Sequence, residues 1–178
     1  VHAAFPTHVH PLLKGKLIRA INPAGFESEA LRQFSDTLMN HYGFDSTELS
    51  SLNSLFTLPH ESLFERQSDY KKQVLDEIKS RALGGQRVAA KYHPRNSEPD
   101  MLNLQAEGVT LLPAGISFEA MLPHFPKGME VIGDVSSTLL TARWLRRDLQ
   151  VTSIWNSKNV TLDALFTEIG IKRRGQAN

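Results

Sequence analysis

The sequence predicts an α/β fold, a parallel sheet with helices on both faces. Two observations carry this: short apolar runs of strand character alternate with segments whose apolar residues recur at helical spacing, and several of those segments stop at glycine. Strands that followed one another directly would instead suggest an antiparallel arrangement. At 178 residues, 40% hydrophobic and 22% charged, the chain is long enough for one good core and ordinary enough in composition to exclude wholesale disorder.

The first 25 or so residues read as irregular. Pro6 and Pro11 interrupt them, and His2, His8 and His10 lack an Asp, Glu or Cys at ligand spacing, so these imidazoles read as exposed polar groups rather than metal ligands. Leu31, Phe34, Leu38 and Met39 mark a helix over Ser28–Tyr42 that Gly43 stops. After a polar link, Ser54–Pro59 reads as a strand ended by its proline.

A regular alternation follows. A helix over Ser68–Ala82 buries Tyr70, Val74, Leu75 and Ile78 and ends at Gly84-Gly85; Arg87–Lys91 is a strand. Glu98–Glu107 reads as a short helix, Val109–Leu112 as a strand, Phe118–Leu122 as a helical turn and Met129–Gly133 as a strand. The helix Ser136–Arg147 buries Leu139, Leu140, Trp144 and Leu145. Leu149–Trp155 is the last expected strand, and Leu162–Ile169 the last helix, with Thr161 as its N-cap and Gly170 as its stop. Five strands alternating with helices from about Leu52 to Gly170 make a Rossmann-like unit. The tail Lys172-Arg173-Arg174 reads as a solvated basic end.

A formal net charge of +1 gives no global reason to expect nucleic acid as a partner, so any basic site is local. The absence of cysteine excludes disulfides, thiolate metal sites and cysteine nucleophiles. No run reaches the roughly 18 apolar residues of a membrane-spanning helix, and no signal peptide is visible.

Three clusters of polar residues each follow an expected strand, where a doubly wound sheet gathers ligand contacts. In Lys91-Tyr92-His93-Pro94-Arg95, proline biases His93 toward an extended backbone at the strand exit. Lys91 and Arg95 make the local field positive, which suits a phosphate. The other explanation for His93 is a satisfied structural histidine. Glu119 follows the turn Pro113-Ala114-Gly115-Ile116-Ser117 and is placed either to accept ribose hydroxyls, with Ala114 and Gly115 backbone groups near a base, or to sit on a helix dipole. Gly133-Asp134-Val135-Ser136-Ser137 leads from a strand into a helix, offering free N–H groups and two hydroxyls to an anion or else simply an N-cap. Neither GxGxxG nor GxxxxGK[ST] occurs, which disfavours ordinary dinucleotide and P-loop sites.

Together, Lys91-Tyr92-His93-Pro94-Arg95, Phe118-Glu119 and Val131-Ile132-Gly133-Asp134-Val135-Ser136-Ser137-Thr138-Leu139-Leu140 resemble the C-terminal, donor-binding half of bacterial sialyltransferases and polysialyltransferases of the two-Rossmann-domain GT-B type. The resemblance covers about half the chain and lies in the order of the motifs. It implies that CMP-sialic acid is the donor and a glycan the acceptor, with no metal required. It assigns His93 to the CMP phosphate, as contact and general acid; Glu119 to the cytidine ribose; and Ser136 and Ser137 to the phosphate. Lys91, Pro94, Arg95, Ala114, Gly115 and Gly133 complete the expected substrate-binding set on local grounds. It further implies a cytoplasmic setting with peripheral association at the inner face of the bacterial membrane.

The acidic-Gly motif that carries the family's general base does not occur; Asp45 and Glu48 lack the glycine. A complete enzyme of this type needs two domains of about 150 residues each, and the chain begins at Val1. Residues 1–50 are therefore expected to be a connecting segment, a remnant of an acceptor domain, and 51–178 the CMP-sugar-binding domain. Two other functions fit parts of the pattern. One is a CMP-Kdo or CDP-alcohol transferase of capsule or wall synthesis, although Leu139-Leu140-Thr141-Ala142-Arg143-Trp144 lacks the Gly-x-Pro-Val expected there. The other is a non-catalytic nucleotide-binding domain.

Overall fold

A computed structural model describes residues 1–154 and 160–174. Its centre is a parallel sheet whose strands, in chain order, are β3 (Ser54–Thr57), β4 (Val88–Lys91), β5 (Thr110–Leu112), β6 (Glu130–Gly133), β7 (Gln150–Ser153) and β8 (Lys172–Arg173). Two earlier strands, β1 (His2–Ala3) and β2 (Arg19–Ala20), pair in a separate two-stranded parallel sheet. The six-stranded order is β5-β4-β3-β6-β7-β8. The chain thus starts in the middle, builds outward through β4 and β5, then returns to the other side of β3. The point of reversal lies between β3 and β6, where the carboxyl ends of adjacent strands diverge into a crevice.

Each central strand is buried on both faces, and side-chain alternation sends successive residues to opposite layers. Leu55, Ala89, Val131 and Val151 point to one layer. There they meet Met39 of α1 (Glu29–His41), Phe118 and Met121 of α4 (Phe118–Met121), Leu139, Ala142 and Leu145 of α5 (Ser137–Leu145), and Phe166 of α6 (Val160–Glu168). Phe56, Val88, Ala90 and Ile132 point the other way. They pack on Phe64 of α2 (Glu61–Arg66) and on Tyr70, Val74 and Ile78 of α3 (Ser68–Leu83). This is the two-faced Rossmann-like architecture expected from the alternation of elements.

Two polar devices fix the layers. Arg81 on α3 lies over the Phe56 ring and bonds both Glu77 and Glu130, each at 2.7 Å; Thr152 donates to the second Glu130 oxygen at 2.6 Å. Ser35 on α1, fully buried, donates to the Ala120 carbonyl of α4, which satisfies a buried polar group in the middle of an apolar layer.

Several local expectations are corrected. Phe34 is 58% exposed: buried Ser35 and Met39 set the inward face of α1, and Phe34 stands off that face. Residues 98–107 form turns and a short 3₁₀ segment, Gln105–Glu107, rather than a helix. The Asp100 carboxylate receives the Leu104 and Gln105 N–H groups and the Tyr92 hydroxyl, a side-chain turn in place of helical bonding. Lys172-Arg173 is an edge strand rather than a solvated end; Arg173 pairs with Asp163 and Arg174 with Glu77. Gly170, at φ +80°, makes the left-handed stop expected of it. The last helix opens at Val160, so Thr161 lies within it rather than before it. Trp155, expected to end β7, lies outside the described residues.

Candidate active site

Beyond the carboxyl ends of β5, β4, β3 and β6 lies a cleft of about 770 Å³. Four strand exits feed it: Thr57 at the end of β3 and on to His60, Lys91 at the end of β4 and on to Pro94, Ala114 to Glu119 after β5, and Asp134 with Ser136 to Thr138 after β6. Of the residues expected from sequence, Lys91, His93, Pro94, Ala114, Gly115, Glu119, Ser136 and Ser137 all line this one space. Arg95 is exposed and does not line it, though its backbone N–H donates to His93 Nδ1 at 3.2 Å. Gly133 lies behind the wall rather than on it. It pairs with Thr57 in the sheet, and a Cβ there would overlap Thr57 Oγ1 and stand 3.2 Å from the Thr57 carbonyl oxygen.

The ends of β4 and β5 are joined by Lys91. Its side chain is 8% exposed, and Nζ donates to the Ala114 carbonyl at 2.8 Å. Burial pulls its pKa down to about 8, against a smaller upward pull from Glu119. The buried ammonium therefore gives up its proton more readily than an exposed lysine does. Gly115 is exposed and carries the ring of Tyr42, which approaches so closely that a Cβ would stand 2.8 Å from it.

His93 also has a lowered pKa, first from burial and then from Arg95, His60 and Lys91. Its Nδ1 faces a backbone N–H, which can only donate, so the neutral ring carries its proton on Nε2. At the far side, burial raises the pKa of Asp134, with the Ser136 hydroxyl pulling the other way. Tyr70, buried beneath, is pushed up by burial and by Asp134.

At the start of α5 the expected side-chain cap is absent. Ser136 occupies the N-cap position with extended backbone but makes no side-chain cap bond. Ser28, His60 and Ser117 do cap α1, α2 and α4. The first-turn amides of α5 therefore have no bond from Ser136, and this nine-residue helix presents its positive end to the cleft.

Sequence reasoning passed over His60, Thr57 and Arg66 and gave Asp134, inside the third cluster, no role of its own; all four also line the cleft. His60 follows Pro59, as Pro94 follows His93, so a second His/Pro pair at a strand exit was the available signal.

A model of the alpha-2,8-polysialyltransferase family (POLYST) matches residues 1–154. The chain belongs to this family. It is accordingly a glycosyltransferase of the sialyltransferase kind, working with a nucleotide-sugar donor and a glycan acceptor. The matched residues run from the N-terminal segment through β7 and include all four strand exits of the polysialyltransferase cleft. No individual curated protein matches the chain. Among the described residues no helix is long and apolar enough to cross a membrane.

Proposed function

We propose that the cleft binds CMP-sialic acid and that this chain supplies the donor-nucleotide site for transfer of sialic acid to a glycan. The observation that carries the reading is the convergence on one space of an uncapped helix N-terminus, an imidazole and a carboxylate, each from a different strand exit. The phosphate of CMP lies against the α5 amides and the hydroxyls of Ser136 and Ser137, with His93 Nε2–H donating to it. Glu119 accepts the ribose hydroxyls, and the backbone at Ala114 and Gly115 meets the base. Lys91 adds charge from the floor, and Arg95 contributes through the His93 bond rather than by lining the cleft.

As the bond from the anomeric carbon to phosphate breaks, negative charge gathers on departing CMP. The α5 dipole, the hydroxyls and the imidazole lower the energy of that charge more in the transition state than in the ground state. The reaction so drawn gives no role to a metal. Residues 51–178 form the donor-binding unit and 1–50 the connecting segment, with the protein working in the cytoplasm at the membrane's inner face.

Thermal-shift titration tests the assignment. CMP is expected to raise the melting temperature at concentrations where UMP, ADP and NAD do not; equal responses to all four, or none, would remove the cytidine reading. The Lys91 ammonium gives a second test. Its pKa of about 8 should rise when a phosphate arrives, so CMP binding at pH 8 to 9 takes up a proton and weakens as pH climbs through that range. Calorimetry in two buffers of different ionisation enthalpy reads the uptake, and Lys91→Met should abolish it. The empty protein has the opposite trend: between about 8 and the ordinary 10.5 the unfolded chain holds this proton more tightly, so Lys91's contribution to stability rises with pH.

A further inference from the structure

A second imidazole stands in the same cleft. His60 leaves β3 through Pro59, and β3 lies between β4, which carries His93, and β6, which leads to Ser136 and Ser137. Its position is therefore central among the groups assigned to the phosphate. The His60 and His93 rings meet edge to face, with centroids 5.4 Å apart and planes at 80°.

Both rings are held in the same protonation pattern. His60 Nδ1 accepts the Ser62 N–H at 3.2 Å and lies 3.0 Å from the Ser62 hydroxyl. His93 Nδ1 accepts the Arg95 N–H at 3.2 Å. A backbone amide cannot reverse its role, so each ring is an acceptor at Nδ1 and keeps its Nε2–H as the remaining donor.

The two loops are also fastened to each other. The Glu61 N–H donates to Asn96 Oδ1 at 3.1 Å, and the Glu61 carboxylate receives the Ser97 N–H at 3.0 Å and the Ser97 hydroxyl at 2.7 Å. Those three bonds tie the residue after His60 to the loop that follows His93. The charged groups around the pair are Lys91, Arg95, Arg66, Glu61, Asp134 and Glu119. Lys91 and Arg66 line the cleft and favour an anion there, against the carboxylates of Asp134 and Glu119, while the Glu61 carboxylate is already engaged by Ser97. The helix-capping duty of His60 uses only Nδ1, and Ser, Thr, Asn or Asp would cap as well; imidazole at this position leaves a donor that capping does not need.

We infer that His60 is a second phosphate-binding residue, its Nε2–H and that of His93 together gripping one anion, the phosphate of the nucleotide donor. The inference rests on the donor-site reading above.

Two substitutions separate the halves of the ring. His60→Asn keeps an acceptor where Nδ1 stands and loses the far N–H; His60→Gln keeps an N–H near Nε2 and loses the cap. Calorimetric titration of the full chain with CMP and with cytidine reads both. His60→Asn is expected to weaken CMP binding about tenfold or more, to leave cytidine binding unchanged and to preserve the melting temperature. His60→Gln is expected to melt lower yet bind CMP within a few-fold of the unsubstituted protein. If the unsubstituted protein binds CMP and His60→Asn binds it just as tightly, His60 is a cap only and the inference falls alone. If the unsubstituted protein fails to bind CMP, the donor-site reading falls and takes the inference with it.

Discussion

Replacing His93 by Asn is expected to lower the rate of CMP release from CMP-sialic acid, measured with a glycan acceptor present, by about 10²- to 10⁴-fold. The ring is only partly buried and its one structural bond, from the Arg95 N–H, can be kept by an Asn carbonyl. The melting temperature should therefore stay near that of the unsubstituted protein. In the proposed site, what Asn loses is the reach of Nε2–H to the phosphate at the moment charge builds there. The loss should appear mainly in kcat, since a group that matters most in the transition state contributes less to ground-state affinity. A change confined to KM would assign His93 to binding alone.

Gly133→Val should act through packing. At the switch between β3 and β6 the strands approach closely, and any side chain at 133 overlaps Thr57 Oγ1 with Leu139 Cδ2 a further 3.4 Å neighbour. Overpacking of this kind costs about 1–3 kcal/mol, which for a domain of this length lowers the melting temperature by about 3 to 10 °C. Because Thr57 lines the cleft, the displacement reaches the site, and CMP affinity should fall together with stability. Thr57→Ala added to the smaller change Gly133→Ala should restore part of both, because it removes the atom that a Cβ meets first. Scanning calorimetry of the four proteins gives the coupling directly.

The sheet was legible because its strands are apolar on both faces and separated by helices with clear stops. Leu55 and Phe56, or Val131 and Ile132, are adjacent apolar residues that no half-exposed strand would carry. The edge strand β8 was hidden by its charges. Lys172 and Arg173 look like a tail until Thr152 and Ser153 are seen to pair with them. Residues 98–107 were misread because Asp100 gathers N–H groups that a helix would otherwise use. The site was legible in three of its four strand exits, where charge and hydroxyls break an apolar run. The fourth was missed because Pro59 was read as the end of a strand and its neighbour His60 was not weighed. Strand order, which no local pattern contains, is what brings His60 beside His93, 33 positions away in the sequence.

Ser136 heads α5 without tying down its amides. An N-cap bond is typically worth about 1 kcal/mol, so the empty protein gives up stability that other helices of the same chain retain. In the donor site proposed above, a bound phosphate supplies the acceptor. Under that proposal substrate completes the fold at this helix end, and selection for tighter folding of the unliganded protein works against selection for donor binding at the same residue.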